Sequence, residues 1–316
     1  MRYRSLGDTG LEASEISLGT VELGLDYGFK GSNHYARPSA EDAIRLLHQA
    51  LGLGVNLFDT ARSYGESEAV IGRALKEWNG SKPILVSKVI IPKEAPSMEL
   101  TKLRAEIHPL IETSLKTLGV DTLDVLLIHN AQRDHLKNPE ILRCLTEAQQ
   151  QGKVRFLGAS CPADEDLCLE LLAQPAFRAL EVPFNLLDQK MRHRVFEGAA
   201  KSRVAVFVRS VYLRGLLTDR IFSAPERLDP LKHAATKVQQ LAERASGSFP
   251  ETAVRFCLSY PAVSSVLIGM KTPEELLANL AHAEKGTFSS ELVALLESQS
   301  MENDSLVNTA KWQDLI

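Results

Sequence analysis

The chain has no Cys-x-x-Cys pair, and its four cysteines, Cys144, Cys161, Cys168 and Cys257, are scattered. A disulfide scaffold or zinc ribbon is therefore excluded, and reduced, buried thiols are expected, as in a cytoplasmic protein. The opening MRYRSLGDTGLEASEISLGT has no apolar core of the kind a secretory leader needs. No stretch reaches the ~18 apolar residues of a membrane span, so no membrane partner is expected. Runs of Lys or Arg are also missing, and the formal net charge is −4. Nucleic acid, which calls for a basic stripe, is not an expected partner. A local basic pocket for one phosphate stays compatible with that balance.

Several catalytic fingerprints are absent as well. Gly52-Leu53-Gly54 lacks the third glycine of G-x-G-x-x-G, so an open dinucleotide-binding sheet goes unannounced. There is no G-x-x-x-x-G-K-[ST], H-E-x-x-H or G-x-S-x-G either.

What is present is an ordinary globular composition, 44% hydrophobic and 24% charged over 316 residues. Short apolar runs rich in Val, Ile and Leu occupy 16–19, 55–59, 84–88, 123–129, 154–160, 179–184, 204–210 and 263–269. Most run without strict alternation, as strands of a parallel sheet do when both faces are covered. Helical spacing fills 43–53, 66–78, 100–118, 139–150, 164–173, 231–245 and 250–259. A last helix opens at Thr272-Pro273-Glu274-Glu275, with a capping Thr, an early Pro and an acidic first turn. The alternation predicts an α/β fold, a (β/α)8 TIM barrel read as one domain over 1–316. An N-terminal β-hairpin turning at Asp8-Thr9-Gly10 precedes it. The tail beyond about 285 is expected to wrap the barrel.

Chemistry in such barrels sits on the loops after the strands. Three successive strands end in ionisable residues: Asp59, Lys88 and His129, with Tyr64 just past the second of these strand ends. Neighbouring strands lie ~4.8 Å apart, so these side chains can converge. A lysine beside a tyrosine favours the phenolate and is expected to lower the phenol's pKa towards neutrality. Tyr64 then reads as a tuned general acid–base, with Lys88 the tuner, Asp59 its holder and His129 a donor to the substrate oxygen.

With those residues in place, the chain resembles the aldo-keto reductase superfamily along nearly its whole length. Tyr3 to Leu11, Leu18-Gly19-Thr20, and Asn56-Leu57-Phe58-Asp59-Thr60-Ala61 followed by Tyr64-Gly65 carry the resemblance, and Lys88 and His129 complete a tetrad. The resemblance implies hydride transfer between a nicotinamide cofactor and a small carbonyl or sugar-like substrate. It also implies a dinucleotide extended across the barrel mouth, with no metal. The implied cofactor contacts are Gly19, Thr20, Asp59, Ser160, Cys161, Glu181, Arg209, Ser210, Tyr212, Leu213, Gly215, Ile268, Gly269, Met270, Lys271, Glu275 and Asn279. Lys271, placed to neutralise a 2′-phosphate, favours NADP(H), while the Glu275 carboxylate suits NAD(H). Glu275 also reads as a capping residue.

Three positions depart from the family pattern. Cys161 stands for Asn, Glu181 for Gln, and Arg209 for an aromatic that stacks on the nicotinamide. A carboxylate accepts from the carboxamide NH2 but cannot donate to its carbonyl. Alternatively, Arg209 pairs with Glu181 and the two replacements are one coupled change. Two other functional readings stay open. One is a cofactor-binding regulatory subunit on the same barrel. The other is a metal-assisted hydrolase using Asp59 and His129, for which Lys88 is a poor neighbour. Nothing in the sequence specifies an oligomeric state.

Overall fold

The computed structural model describes residues 1–30, 32, 34–301 and 304–312. An antiparallel hairpin comes first. β1 (Tyr3–Ser5) and β2 (Glu12–Ser14) pair Tyr3 with Ser14, and Gly7 and Gly10 take positive φ in the turn between them. Eight parallel strands follow: β3 (Ile16–Gly19), β4 (Leu57–Asp59), β5 (Ile84–Val89), β6 (Leu123–Ile128), β7 (Val154–Ser160), β8 (Phe177–Pro183), β9 (Ala205–Arg209) and β10 (Ser265–Gly269). Each pairs with the next in sequence, and β10 closes on β3.

All eight expected strands form, with shifted ends. β4 begins at Leu57 rather than 55, β8 at Phe177 rather than 179. His129 lies one residue beyond β6, held by its N–H to Val89 O at 2.8 Å. Several helices start where short polar side chains accept an orphan backbone N–H, as Ser39, Asp164, Ser248 and Thr272 do. Helices Val21–Gly24, Arg133–Lys137, Arg194–Ser202, Ser290–Glu297 and Asp304–Val307 lie outside the expected set. The first two are too short for a 3.6-residue period to show.

Leu6 from the hairpin joins Leu57, Ile84, Val86, Val125 and Phe207 in the apolar filling of the barrel. Each such fully buried side chain contributes about 1.5–3 kcal/mol. The barrel end nearest the hairpin is fixed by Arg4. It pairs with Glu15 and donates to the carbonyls of Leu258 at 2.8 Å and Val263 at 2.9 Å. At the opposite rim the buried positions become charged: Asp59, Lys88 and Glu181 are all under 5% exposed. A second apolar layer packs the helices onto the outside of the strands.

Candidate active site

Lys88 is the centre of the charged rim. Its Nζ donates to Asp59 Oδ1 at 2.6 Å, Asp59 Oδ2 at 2.7 Å, Thr60 O at 3.1 Å and Tyr64 Oη at 3.2 Å. Glu181 Oε2 lies 3.2 Å away on the other side. Burial alone would strip the amine of its proton, but Asp59 and Glu181 outweigh it and raise the Lys88 pKa. The ammonium is therefore permanent near neutral pH.

The Tyr64 loop is set by close packing. Gly24 of the helix Val21–Gly24 touches it so tightly that a Cβ there would lie 1.9 Å from Tyr64 O. The loop is also tied down by Arg62 and Ser87, which both reach Glu68, at 3.0 and 2.8 Å. Thr20 donates to Asp59 O at 2.8 Å and shares a 2.6 Å hydrogen bond with Ser67. It thereby joins the ends of β3 and β4 to the Tyr64 loop.

The Tyr64 phenol departs from expectation. Burial raises its pKa, Lys88 opposes, and the charges of Asp59 and Glu181 add to the rise. Burial outweighs the Lys88 field, which the two carboxylates partly offset, so the hydroxyl holds its proton until a partner oxygen becomes basic. Burial and the Glu181 charge raise the Asp59 carboxyl above the ordinary range, while the Lys88 ammonium bonded to both its oxygens opposes them.

His129 meets the Tyr64 ring edge to face, with centroids 5.7 Å apart, and its Nδ1 lies 3.2 Å from Ser63 Oγ. Burial, helped by Lys88 and Arg209, holds its pKa down at about 4. The imidazole is thus neutral and has one N–H to give. The tetrad Asp59, Tyr64, Lys88 and His129 therefore converges at one rim.

Glu181 and Arg209 form the alternative ion pair: Arg209 Nε lies 3.4 Å from Glu181 Oε1. Arg209 Nη2 also donates to Cys161 O at 2.9 Å, and Ser160 Oγ donates to Glu181 Oε1 at 2.9 Å. Burial pushes the Glu181 carboxyl up, yet Lys88, Arg209 and Ser160 prevail and lower it.

A cleft of about 860 Å³ opens above these groups. Of the expected cofactor contacts, all but Cys161, Met270 and Lys271 line it. Cys161 is fully buried with its thiol towards Ala159 O, and offers only its backbone to the rim. Met270 is fully buried too. In a short run leaving a strand, alternate side chains point away from the mouth, and sequence alone does not say which.

Three arginines, Arg209, Arg214 and Arg220, face the cleft. Arg214 Nε is buried without a hydrogen-bond partner among the described residues. Ser210, Leu213, Arg214 and Gly215 take positive φ in one loop after β9. An unspent guanidinium donor beside a loop of strained backbone fits a phosphate of a long dinucleotide. Arg220, paired with Glu275, escaped sequence reading because its loop has no periodic signal. So did Thr309 and Ala310 of the tail, which reach the cleft. Trp312 beside them is fully buried and stacks on Phe29 at 6.2 Å.

Residues 15–300 match the Aldo/keto reductase family, and the chain belongs to it. It is an oxidoreductase of the NAD(P)H-dependent kind. It is 28% identical over 299 residues to the aldo-keto reductase YhdN of Bacillus subtilis (strain 168), covering 88% of this chain and 87% of that one. It is 25% identical over 309 residues to the NADH-specific methylglyoxal reductase of Escherichia coli (strain K12), covering 89% and 93%. Among solved structures, an aldo-keto reductase from Bacillus halodurans in its holo form superposes with a TM-score of 0.78. That match has 24% identity and covers 96% of this chain and 99% of that one.

Proposed function

We propose that the chain works as one barrel domain that reduces a small aldehyde, ketone or sugar carbonyl to the alcohol, with Tyr64 as proton donor. The observation that carries this is the 3.2 Å contact of Tyr64 Oη with a lysine locked by Asp59 at the foot of the cleft. Bound in the cleft, a reduced nicotinamide supplies the hydride. The substrate carbonyl oxygen sits against Tyr64 and the neutral His129, which donates its N–H and orients it. As negative charge develops on that oxygen, the Tyr64 proton moves to it, and the Lys88 ammonium stabilises the phenolate left behind.

A phenol raised above its ordinary value suits this direction, since a general acid must hold its proton until the oxygen becomes basic. Alcohol oxidation needs the phenolate at the start, which the two carboxylates around Lys88 oppose.

The test is the decay of reduced nicotinamide absorbance across a panel of small aldehydes, ketones and sugars, wild type against Tyr64→Phe. Turnover in the wild type that is lost in the variant supports the assignment. Tight cofactor binding without turnover on any member would overturn it in favour of a cofactor-sensing subunit.

A further inference from the structure

Lys271 was expected at a phosphate, yet its side chain is only 9% exposed and turns to the loop after the helix Val21–Gly24. Its Nζ faces the carbonyls of Tyr27 at 3.5 Å, Tyr35 at 3.4 Å and Ala36 at 3.3 Å, and donates to His34 O as well. Glu22 Oε2 is 3.7 Å away. An ammonium has three protons, and these acceptors use them all. The loop so held is part of the cleft, because Tyr27, Phe29 and His34 line it. Among the described residues it is also supported by the Phe29–Trp312 stack and by the Arg214 guanidinium, 4.7 Å from the Tyr27 ring centre.

The wall beside Lys271 is acidic. Glu275 lines the cleft, its Oε1 taken by Arg220 and its Oε2 by the Lys271 backbone N–H at 2.7 Å. Glu22 lines the same cleft and packs on Gly269, where a Cβ would lie 2.8 Å from its Oε1. A phosphate dianion brought here meets two carboxylates and an arginine already neutralised. A ribose diol brings two hydroxyl donors, which carboxylates accept.

We propose that Lys271 is the latch of the cleft loop and not a phosphate ligand, and that Glu275 and Glu22 make the protein select NAD(H) over NADP(H). The cofactor half rests on the oxidoreductase reading. The latch is a property of the protein alone.

Both halves are tested without turnover. NADH and NADPH are titrated separately by fluorescence into wild type, Glu275→Gln and Lys271→Met, and amide exchange is followed in the cofactor-free proteins. NADH is expected to bind wild type at least about tenfold more tightly than NADPH, and Glu275→Gln to narrow the gap by strengthening NADPH. Lys271→Met is expected to speed exchange in peptides spanning Tyr27 and Tyr35 by about tenfold without weakening NADPH. If Lys271→Met does not fold, Lys271→Gln takes its place. A Lys271 variant that loses NADPH affinity with unchanged loop exchange overturns the proposal, as does a wild type that prefers NADPH. Binding of neither nucleotide would sink the oxidoreductase reading and the cofactor half with it. The latch would still stand or fall on the exchange result.

Discussion

Arg209 Nε stands 3.4 Å from Glu181 Oε1, and the other oxygen of that carboxylate stands 3.2 Å from Lys88 Nζ. With Asp59 on Lys88, two carboxylates and two cations make a neutral set at the barrel mouth. A glutamate alone would overload Lys88 with negative charge, and an arginine alone would crowd it with positive charge. Each charge is tolerable because the other is present.

Arg209→Met should therefore leave Asp59 and Glu181 sharing one cation. Breaking a buried pair costs about 3–5 kcal/mol. Because the Arg209 side chain is 27% exposed, solvent screening reduces the expected loss to about 1–2 kcal/mol. Adding Glu181→Gln should recover part of it, with a coupling of about 0.5–3 kcal/mol in a urea-unfolding double-mutant cycle. Strictly additive losses would dissolve the pair as an energetic unit.

Tyr64→Phe removes the proton donor and leaves the arginines of the cleft in place. Turnover should fall by about 10²–10⁴-fold, while the Kd for reduced nicotinamide, read by fluorescence titration, stays close to the wild-type value. A variant that turns over at the wild-type rate takes Tyr64 out of the chemistry.

His129 gives stability a pH dependence of definite sign. Its folded pKa is about 4 against an ordinary 6.5, so the unfolded chain takes up a proton that the folded protein refuses. Its contribution is complete above about 6.5 and is lost as pH falls towards 4, by up to about 3 kcal/mol. Asp59, raised by burial, works in the opposite sense across that range. The comparison with His129→Gln isolates the histidine. Between pH 7 and 4.5 the variant should lose less stability in urea unfolding than wild type, and parallel curves would contradict the assignment.

Gly24→Ala drives a methyl group to within 1.9 Å of Tyr64 O, a backbone atom that cannot yield as a side chain would. Overpacking of this kind costs about 1–3 kcal/mol, and displacement of the Tyr64 loop should lower turnover as well. Gly52→Ala is the control: nothing lies within 4 Å of its Cβ position at the end of the helix Ala40–Gly52. It should be neutral or stabilising by up to about 1 kcal/mol. Equal thermal shifts for the two variants would remove the steric account.

The barrel and the tetrad were open to sequence reading for a physical reason. Strands covered on both faces must be apolar throughout, so Asp59, Lys88 and His129 break the pattern at the rim and stand out. Tyr64 is tied to Asp59 by a loop of fixed length. In the sequence the tail shows only as a wrapping segment. That Trp312 stacks on Phe29 and brings Thr309 and Ala310 to the cleft depends on a partner far away in the chain.

The order of residues by itself determined the alternation of strands and helices, the closure into eight strands, and the strand ends from which the four tetrad residues meet. Tertiary structure alone decided where the long charged side chains went. Lys271 turned to loop carbonyls, Arg220 settled on Glu275, and Glu181 gave Lys88 a second counter-charge. Backbone periodicity follows from local residue types. A flexible cation, by contrast, takes whichever acceptors the finished fold brings within its reach, and those acceptors come from distant loops that carry no period.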